Sequence, residues 1–263
     1  MKTELNELLE FAAGLAHGAG MITLQYFRKN PETSKKSDGS YVTIADREAE
    51  SFLRQWISEK YPDDGILGEE EGELQGTSGR RWILDPIDGT FAFVHGVPLY
   101  GVLIAIEIEG EMSIGVVNMP ALGEIVSAAK GLGCFLNGEP ARVSTTAELK
   151  DALLLSTSFE RKTELLQARA KVSRTWGDCY GYVLVATGRA DVMLDPVMNL
   201  WDCAPLLPIM EEAGGTFTDW RGVRTANGGN SIATNGLLFE EVMNVICTEP
   251  SAVAPGHTEI LTP

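Results

Sequence analysis

One stretch, RWILDPIDGT at residues 81–90, constrains the fold of this chain more than any other segment. Its apolar residues 82–84 predict a buried β-strand, which ends in two carboxylates, Asp85 and Asp88. Two aspartates three residues apart on a rigid turn can face one point in space. Because hard divalent cations prefer oxygen ligands, this spacing is compatible with a metal site.

The residues around these aspartates favour a sharp, rigid turn. Pro86 fixes its own φ and lacks an N–H donor, Gly89 allows the turn, and Thr90 can cap a following helix. Asp-Pro and Asp-Gly are also ordinary turn pairs, so a solvated turn is the alternative interpretation. Acidic residues elsewhere in the chain favour the metal site.

Those further acids lie at the ends of other predicted elements. Asp46 lies near the start of a helix that we expect to open at residues 42–46. Glu69 and Glu70 follow a short strand, and Asp202 stands at the start of a later helix. Each has a structural alternative: Asp46 and Asp202 are compatible with helix N-termini, and the glutamates with a solvated acidic loop.

Charge and cysteine content exclude several function classes. The net charge of −16 argues against nucleic acid or anionic membranes as partners, since both need a basic surface. A phosphorylated substrate remains compatible with it, because bound metal ions can reverse the local field. The 4 cysteines are scattered without a CxxC pair, which favours a reducing compartment without zinc or disulfides. No apolar run approaches a membrane span of about 20 residues, and the N-terminus is acidic where a signal peptide is basic, so we expect a cytoplasmic protein.

The order of predicted elements indicates two halves. With 263 residues and 44% hydrophobic content, the chain can bury a substantial core. A helix at residues 3–29, a polar loop at 32–40 and a meander of antiparallel strands after residue 99 predict an N-terminal α+β half at 1–145 that carries most candidate ligands. Strands and helices alternate afterwards, which predicts a C-terminal α/β half at 146–248. Residues 249–263 are rich in Pro, Ala and Thr and are expected to be a disordered tail.

In chain order, Asp46, the Gly-Glu-Glu at 68–70, WILDPIDGT at 82–90 and WDCAPLLPIMEEAGG at 201–215 resemble the motifs of the inositol-monophosphatase-like family of magnesium-dependent phosphatases. The resemblance runs from about residue 36 to residue 236 and is far more specific than a lone Asp-x-x-Asp. It implies a layered α/β fold, an αβαβα sandwich with an antiparallel N-terminal sheet and a second, mixed C-terminal sheet. It also implies a homodimer and a small phosphorylated substrate.

Carried over by position, the resemblance implies Mg²⁺ as the cofactor, with two or three ions in each site. The ligands would be the carbonyl of Ile87 and the carboxylates of Glu69, Asp85, Asp88 and Asp202.

The resemblance also implies the remaining roles. Gly89 and Thr90 would bind the phosphate through backbone N–H groups, and Lys36 would reach an anion near a third ion. Asp46 and Thr90 would position and activate the attacking water, and Glu70 would hold the surroundings of that water.

The reaction explains why such parts are needed. Phosphate-monoester hydrolysis is among the slowest uncatalysed reactions, because the negative ester repels an anionic nucleophile. Two cations about 3.5–4 Å apart can screen that charge, lower the pKa of a bound water and stabilise the leaving oxygen. Backbone N–H donors at a helix start add an anion cradle. No histidine or cysteine nucleophile is required.

The segment at residues 174–202 follows the part of the family that contacts the non-phosphate half of the substrate. Together with Gly-Val-Pro-Leu-Tyr at 96–100, it most resembles the histidinol-phosphate phosphatases of histidine biosynthesis. The expected substrate contacts are Gly177, Asp178, Cys179 and Asp195.

Charge supports this branch. Asp178 and Asp195 could pair with the ammonium and imidazole of histidinol phosphate, whereas inositol offers only hydroxyls. The alternatives are a helix N-cap for Asp178, an Asp-Pro turn for Asp195 and a packing role for Cys179.

The sequence therefore predicts a Mg²⁺-dependent phosphatase that hydrolyses L-histidinol phosphate to L-histidinol and phosphate. An inositol-1-monophosphatase or a broad sugar-phosphate phosphatase on the same site is the closest alternative. A catalytically silent metal-binding regulator is disfavoured because the carboxylate set is intact and both Asp46 and Thr90 are present.

Overall fold

The structure, a computed structural model, describes residues 2–36 and 39–248. Across these residues the chain forms both helices and strands, and a short 3₁₀ turn covers Leu149–Asp151. The helices are α1 Lys2–Tyr26, α2 Ile44–Lys60, α3 Thr90–Val94, α4 Arg161–Gln167, α5 Asp178–Ala186, α6 Leu200–Glu212 and α7 Phe239–Thr248.

The strands in the described part of the chain form sheets of two, eight and five strands. The small sheet pairs β1 Thr33–Lys35 with β2 Tyr41–Thr43. The eight-stranded sheet contains, in chain order, β3 Gly65–Gly68, β4 Gly72–Leu74, β5 Arg80–Asp88, β6 Gly101–Ile108, β7 Glu111–Met119, β8 Glu124–Ala129, β9 Gly133–Leu136 and β10 Glu139–Ala141. The five-stranded sheet contains β11 Leu153–Ser156, β12 Val172–Arg174, β13 Val192–Asp195, β14 Thr216–Thr218 and β15 Ser231–Thr234.

These elements stack as five layers, which confirms the expected αβαβα sandwich. Helices α1 and α2 cover one face of the eight-stranded sheet, and α5 and α6 lie between the two large sheets. Helices α4 and α7 cover the outer face of the five-stranded sheet. Both large sheets are therefore buried on both faces, which explains why their central strands are continuously apolar rather than alternating.

Strand β7 shows how the pleat divides its side chains between layers. Ile114 and Val116 pack toward α1 and α2, while Val117 and Met119 pack toward α5 and α6. Gly115 lies where α6 crosses the strand: a Cβ atom there would lie 2.0 Å from the Pro205 carbonyl oxygen. The glycine therefore lets α6 lie directly on the sheet, and this contact fixes the start of α6 relative to the strand ends.

The N-terminal sheet departs from the prediction of a purely antiparallel arrangement. Strand β3 pairs antiparallel with β4 but parallel with β5. Strand β4 lies at the edge of the sheet, on one side of β3. The chain then crosses to the other side of β3, where β5 runs in the same direction as β3. The sheet is therefore mixed, and the ends of β3 and β5 lie at the same edge.

Three features of the first half also differ from the prediction. The loop expected at residues 32–40 contains β1, which forms a hairpin with β2. The second helix begins at Ile44 rather than at residue 42, because Thr43 is extended, with φ −120° and ψ 171°, and caps the helix. The first helix ends at Tyr26 rather than at residue 29, close to Arg28 with its positive φ of 61°.

The division near residue 145 stays a prediction. The eight-stranded sheet ends at Ala141 and the five-stranded sheet begins at Leu153, but one hydrophobic cluster joins residues of both sheets through α5 and α6. The tail predicted at 249–263 lies outside the described residues. None of the helices between residues 2 and 248 combines the length and apolarity needed to cross a bilayer.

Candidate active site

The parallel pairing of β3 and β5 brings the first two acidic motifs together. Glu69 follows β3, and its N–H donates to the Leu84 carbonyl of β5 at 3.2 Å. Asp85 and Asp88 lie at the end of β5, where the register with β6 shifts between them. This irregularity lets two carboxylates three residues apart leave the strand toward one side.

A group of three carboxylates forms at this edge. Asp85, Asp88 and Asp202 each offer an oxygen, and these oxygens lie within 4.8 Å of one another. Asp85 Oδ1 accepts the Ile87 N–H at 3.0 Å, and Asp88 Oδ2 accepts the Cys179 N–H at 2.6 Å. Backbone donors therefore fix both carboxylates in place.

Asp202 reaches the group from the first turn of α6. Asp202 lies at the helix start as predicted, although the N-cap itself is Asn199, and Asp202 Oδ2 accepts the Asn199 backbone N–H at 2.7 Å. Placing the carboxylate at the third helical residue satisfies an N–H at the helix start and fixes the side chain.

Asp46 has the same position in α2. Its Oδ2 accepts the backbone N–H of Thr43 at 2.8 Å and the Thr43 hydroxyl at 2.6 Å, which completes a capping box. Its Oδ1 is buried and has no hydrogen-bond partner among the described residues. One oxygen of Asp46 therefore secures the helix, and the other remains available.

Lys36 lies against the acidic turn after β3. Its Nζ donates to Glu69 Oε1 at 2.7 Å and to Glu70 Oε1 at 2.6 Å. Burial lowers the pKa of Lys36, but these hydrogen bonds outweigh it, and the pKa is raised above its usual value. The lysine is therefore a permanent cation beside two of the predicted site glutamates.

The turn after β5 contains the predicted sharp turn at Gly89, but Thr90 does not cap the following helix, because Gly89 is the N-cap and no side chain caps it. Gly89 adopts φ 79° and ψ 38°, a left-handed conformation that glycine accepts without strain, and Thr90 begins α3. The Thr90 hydroxyl donates to the Ile87 carbonyl at 2.9 Å. The Ile87 side chain is buried, so this carbonyl is the part of the residue that a ligand could use.

Residues of the second half approach the same site. Asp178 is the first residue of α5, with a positive φ of 50°, and Gly177 is the N-cap. The alternative of Asp178 as a side-chain cap is therefore wrong. A Cβ atom on Gly89 would lie 3.2 Å from Asp178 Oδ2, so this carboxylate borders the turn after β5.

Gly177 and Cys179 flank Asp178 in different ways. A Cβ on Gly177 would lie 2.3 Å from Thr157 Cγ2, so the loop requires glycine there. The Cys179 thiol points into the core, with Sγ 3.5 Å from Met119 Sδ, and burial raises its pKa well above the usual value. The backbone N–H of Cys179 donates to the carboxylate group, and the thiol also lies near enough to Asp88 for that charge to raise its pKa.

Asp195 ends β13, and its Oδ1 accepts the Val197 N–H at 3.2 Å. Burial, together with the charges of Asp178 and Asp202, raises its pKa to about 7, although that hydrogen bond opposes the shift. Asp195 therefore interacts electrostatically with both Asp178 and Asp202.

Burial, with repulsion among neighbouring acids as the second cause, raises the pKa of the site carboxyls. Burial, followed by the charges of Glu69, Asp88 and Asp202, raises the pKa of Asp85 well above the usual range. Burial and the charges of Asp178 and Asp202 do the same for Asp88. Burial raises the pKa of Asp202 to about 6.

The outer acids behave similarly. Burial and the charges of Glu70 and Glu69 raise the pKa of Asp46 to about 7, although its bonds to Thr43 oppose the shift. Burial also raises the pKa of Glu70, against the hydrogen bond from Lys36.

The donor set fits a hard divalent cation. The facing ligands are carboxylate oxygens, and this set suits Mg²⁺ rather than a softer metal. Carboxylates crowded in this way repel one another, and positive charge between them would relieve the repulsion. The buried, unpaired Oδ1 of Asp46 also indicates a polar partner beyond the protein atoms.

The sequence did not reveal the residues that support the site residues through hydrogen bonds without facing the site themselves. Thr43 and Asn199 each stand three residues before a site aspartate, and this capping spacing could have identified both. Glu50, a fully buried acid in α2, had only one signal, Arg54 four residues later.

Comparisons with known proteins agree with this geometry. A profile of the "Inositol monophosphatase family" matches residues 4–251. A histidinol-phosphatase of Chlorobaculum parvum is 48% identical over 90% of this chain and 96% of its own. A histidinol-phosphatase of Mycobacterium tuberculosis is 40% identical over 89% of this chain and 96% of its own.

The fold has close counterparts among solved structures. An IMPase of Thermotoga maritima superposes with a TM-score of 0.85 at 34% identity, covering 91% of this chain and 96% of that one. The resemblance in sequence motifs, the profile match over nearly the whole chain and the shared fold lead to one conclusion. The chain belongs to the inositol monophosphatase family.

Proposed function

We propose that this protein is a Mg²⁺-dependent phosphatase that hydrolyses L-histidinol phosphate to L-histidinol and phosphate, a step of histidine biosynthesis. The histidinol-phosphatases that are 48% and 40% identical support the substrate. The observation that carries the proposal is the partly buried Asp178 carboxylate beside Gly89 and Asp88, because it adds an anionic partner next to the carboxylate group.

The proposed ligands for two or three Mg²⁺ ions are the Ile87 carbonyl and the carboxylates of Glu69, Asp85, Asp88 and Asp202. When bound, such ions would screen the phosphate charge and lower the pKa of a water molecule at the site. The raised pKa values of Asp85 and Asp88 support this assignment, since both acids gain from a cation.

The remaining steps belong to groups of the chain itself. We assign to Asp46 the acceptance of a proton from the attacking water, because its Oδ1 is buried and unpaired. Thr90 helps to orient that water, and the backbone N–H groups of Gly89 and Thr90 hold phosphate oxygens. Glu70 keeps its place beside the water through its bond to Lys36, which also faces the phosphate side of the site.

Selection of the leaving group falls to the second half of the chain. Asp178 and Asp195 would accept charge-assisted hydrogen bonds from the ammonium and imidazole groups of histidinol phosphate. Gly177 shapes the loop that presents Asp178, and Cys179 contributes its backbone N–H, which holds Asp88. A neutral polyol phosphate would leave the buried Asp195 and the partly buried Asp178 without a cationic partner, at a cost in affinity.

A second candidate is the hydrolysis of inositol 1-phosphate or sugar phosphates at the same site. The similarity to an IMPase of Thermotoga maritima, 34% identical, favours it. Both candidates share the metal ligands and differ only in the leaving-group contacts. We also propose, from the family resemblance, a cytoplasmic homodimer.

Steady-state kinetics on both phosphates tests the substrate. We expect kcat/KM for histidinol phosphate to exceed that for inositol 1-phosphate by more than about 10²-fold. This is the size expected when a substrate lacks the cationic groups that would pair with acids of the site. Asp178→Ala should raise KM for histidinol phosphate about 10-fold and leave the hydrolysis of p-nitrophenyl phosphate nearly unchanged.

The matched control is Glu73→Ala, which removes one acid from an exposed ion pair with Arg81. A preference for inositol 1-phosphate would replace the proposed substrate by the second candidate. Equal losses of Asp178→Ala on both test substrates would assign Asp178 a structural role.

A further inference from the structure

A buried carboxylate outside the predicted ligand set supports the acidic turn from below. Glu50 in α2 is fully buried, and both of its oxygens are used. Oε2 accepts the Glu70 N–H at 2.8 Å, and Oε1 accepts the Glu71 N–H at 3.0 Å. These donors belong to the turn that directly follows Glu69.

Arg54 completes this support one helical turn later. Its Nε donates to Glu50 Oε1 at 2.8 Å, and its guanidinium also donates to the Gly72 carbonyl. The pair therefore binds three consecutive residues, 70–72, where the chain turns from β3 into β4. A backbone carbonyl and two backbone N–H groups are satisfied by two side chains from one helix.

Gly68 leaves the space that this arrangement needs. A Cβ atom at Gly68 would lie 2.1 Å from Glu50 Oε1 and 2.7 Å from a guanidinium nitrogen of Arg54. The backbone before Glu69 therefore lies directly on the carboxylate of Glu50. A close approach of this kind fixes the position of the turn and not only its hydrogen bonding.

The same helix also presents Asp46, four residues before Glu50. Positions four apart lie on one helical face, so α2 carries the unpaired Asp46 oxygen and the support of the acidic turn on the same side. Residues 69–71 are three consecutive acids, and they would repel one another and nearby carboxylates without such a support.

We propose that Glu50, held by Arg54, is a positioning residue that fixes the turn at residues 69–71, so that Glu69 and Glu70 meet the metal ligands of β5 and the Asp46 carboxylate. This inference rests on the proposed function. Glu50 touches neither substrate nor cation, and it acts through the backbone of the turn.

Calorimetric titration with MgCl₂ tests the inference without measuring turnover. Glu50→Gln keeps the size of the side chain but replaces one acceptor oxygen by an NH₂ group, which would face a donor. We expect Mg²⁺ to bind about 10-fold more weakly, as found when partners of metal ligands are removed. At saturating Mg²⁺, KM for the phosphate substrate should change less than about 2-fold, because the substrate contacts are intact.

Asp191→Asn is the matched control. Asp191 is a buried acid at the opposite end of β13 from Asp195, and it accepts bonds from the Ser144 hydroxyl at 2.5 Å and the Leu153 N–H at 2.6 Å. Its replacement should lower the melting temperature and leave Mg²⁺ affinity unchanged. Arg54→Met is a second variant that disturbs the same support, and we expect it also to weaken Mg²⁺ binding. It keeps the inference testable if Glu50→Gln does not fold.

The outcomes separate this inference from the proposed function. If the unmodified protein binds no Mg²⁺, the proposed function fails. If it binds Mg²⁺ and both Glu50→Gln and Arg54→Met bind it equally well, only the positioning role is overturned. Equal weakening by Glu50→Gln and Asp191→Asn would also overturn it, since general loss of stability would then explain the effect.

Discussion

Replacement of Asp88 by asparagine is expected to lower kcat about 10³-fold, near the upper end for removing a group that stabilises transition-state charge. Asp88 lies in the three-carboxylate group with Asp85 and Asp202. Asparagine would keep an oxygen but remove the negative charge that a cation needs. The measurement is steady-state turnover with MgCl₂ raised until the rate no longer increases.

The same variant should fold as well as the unmodified protein or better. Asparagine can still accept the Cys179 N–H through its carbonyl oxygen, so the backbone contact survives. Burial and the charges of Asp178 and Asp202 raise the pKa of Asp88, which means that ionisation is unfavourable there without metal. In metal-free buffer at pH 8 the melting temperature should therefore be unchanged or higher.

Glu73→Gln is the control for Asp88→Asn, since it removes one negative charge from an exposed ion pair with Arg81. Its turnover should stay within about 2-fold of that of the unmodified protein, because exposed ion pairs contribute little to the free energy of folding. A near-normal kcat for Asp88→Asn would remove Asp88 from the proposed ligand set.

Replacement of Asp46 by asparagine is expected to lower kcat about 10²-fold, as for the loss of a positioned general base. The capping box needs one acceptor oxygen toward Thr43, and the amide oxygen supplies it. The NH₂ group would then take the place of the unpaired Oδ1 and could not accept a proton. Helix α2 should remain intact while the chemical step slows.

Circular dichroism and turnover at saturating Mg²⁺ check this variant together. The expected result is an unchanged helical signal, a low kcat and a KM that changes little. A kcat within about 3-fold of normal would show that proton transfer does not pass through Asp46. A large loss of helical signal would instead show that the main role of Asp46 is to cap helix α2 through the capping box.

The candidate site was predictable from sequence because its ligands lie in local motifs. WILDPIDGT specifies a buried strand, a rigid turn and two acids within nine consecutive residues, 82–90. The structure places these acids at a strand end with Asp202 beside them. Convergence of the other motifs followed from the family resemblance and not from spacing.

The residues that the sequence did not reveal act through the backbone over long separations. Glu50 accepts N–H groups twenty and twenty-one residues away, and no periodicity marks such a bond. The parallel pairing of β3 with β5 was missed for the same reason. It depends on the side of β3 on which the short β4 returns, and three residues carry little information about this.

The central claim is that the crowded carboxylates form a cation site, and their titration gives it a distinctive pH dependence. Asp202 with a pKa of about 6, and Asp46 and Asp195 with pKa values of about 7, lie above the usual value of about 4 for a carboxyl. The folded protein without metal therefore binds more protons than the unfolded chain between about pH 4 and pH 7. The stability from these groups is full at low pH and is lost as pH rises through the folded-state pKa values.

The most direct test is the melting temperature with and without MgCl₂ at pH 6 and pH 8, at matched ionic strength. Without metal, these groups should make the protein less stable at pH 8 than at pH 6. Magnesium should raise the melting temperature more at pH 8, where protons no longer compete, by an amount equivalent to about 2.7 kcal/mol at a hundredfold excess over Kd. No magnesium-dependent rise at pH 8, or a larger rise at pH 6, would contradict the assignment of this acidic edge as a cation site.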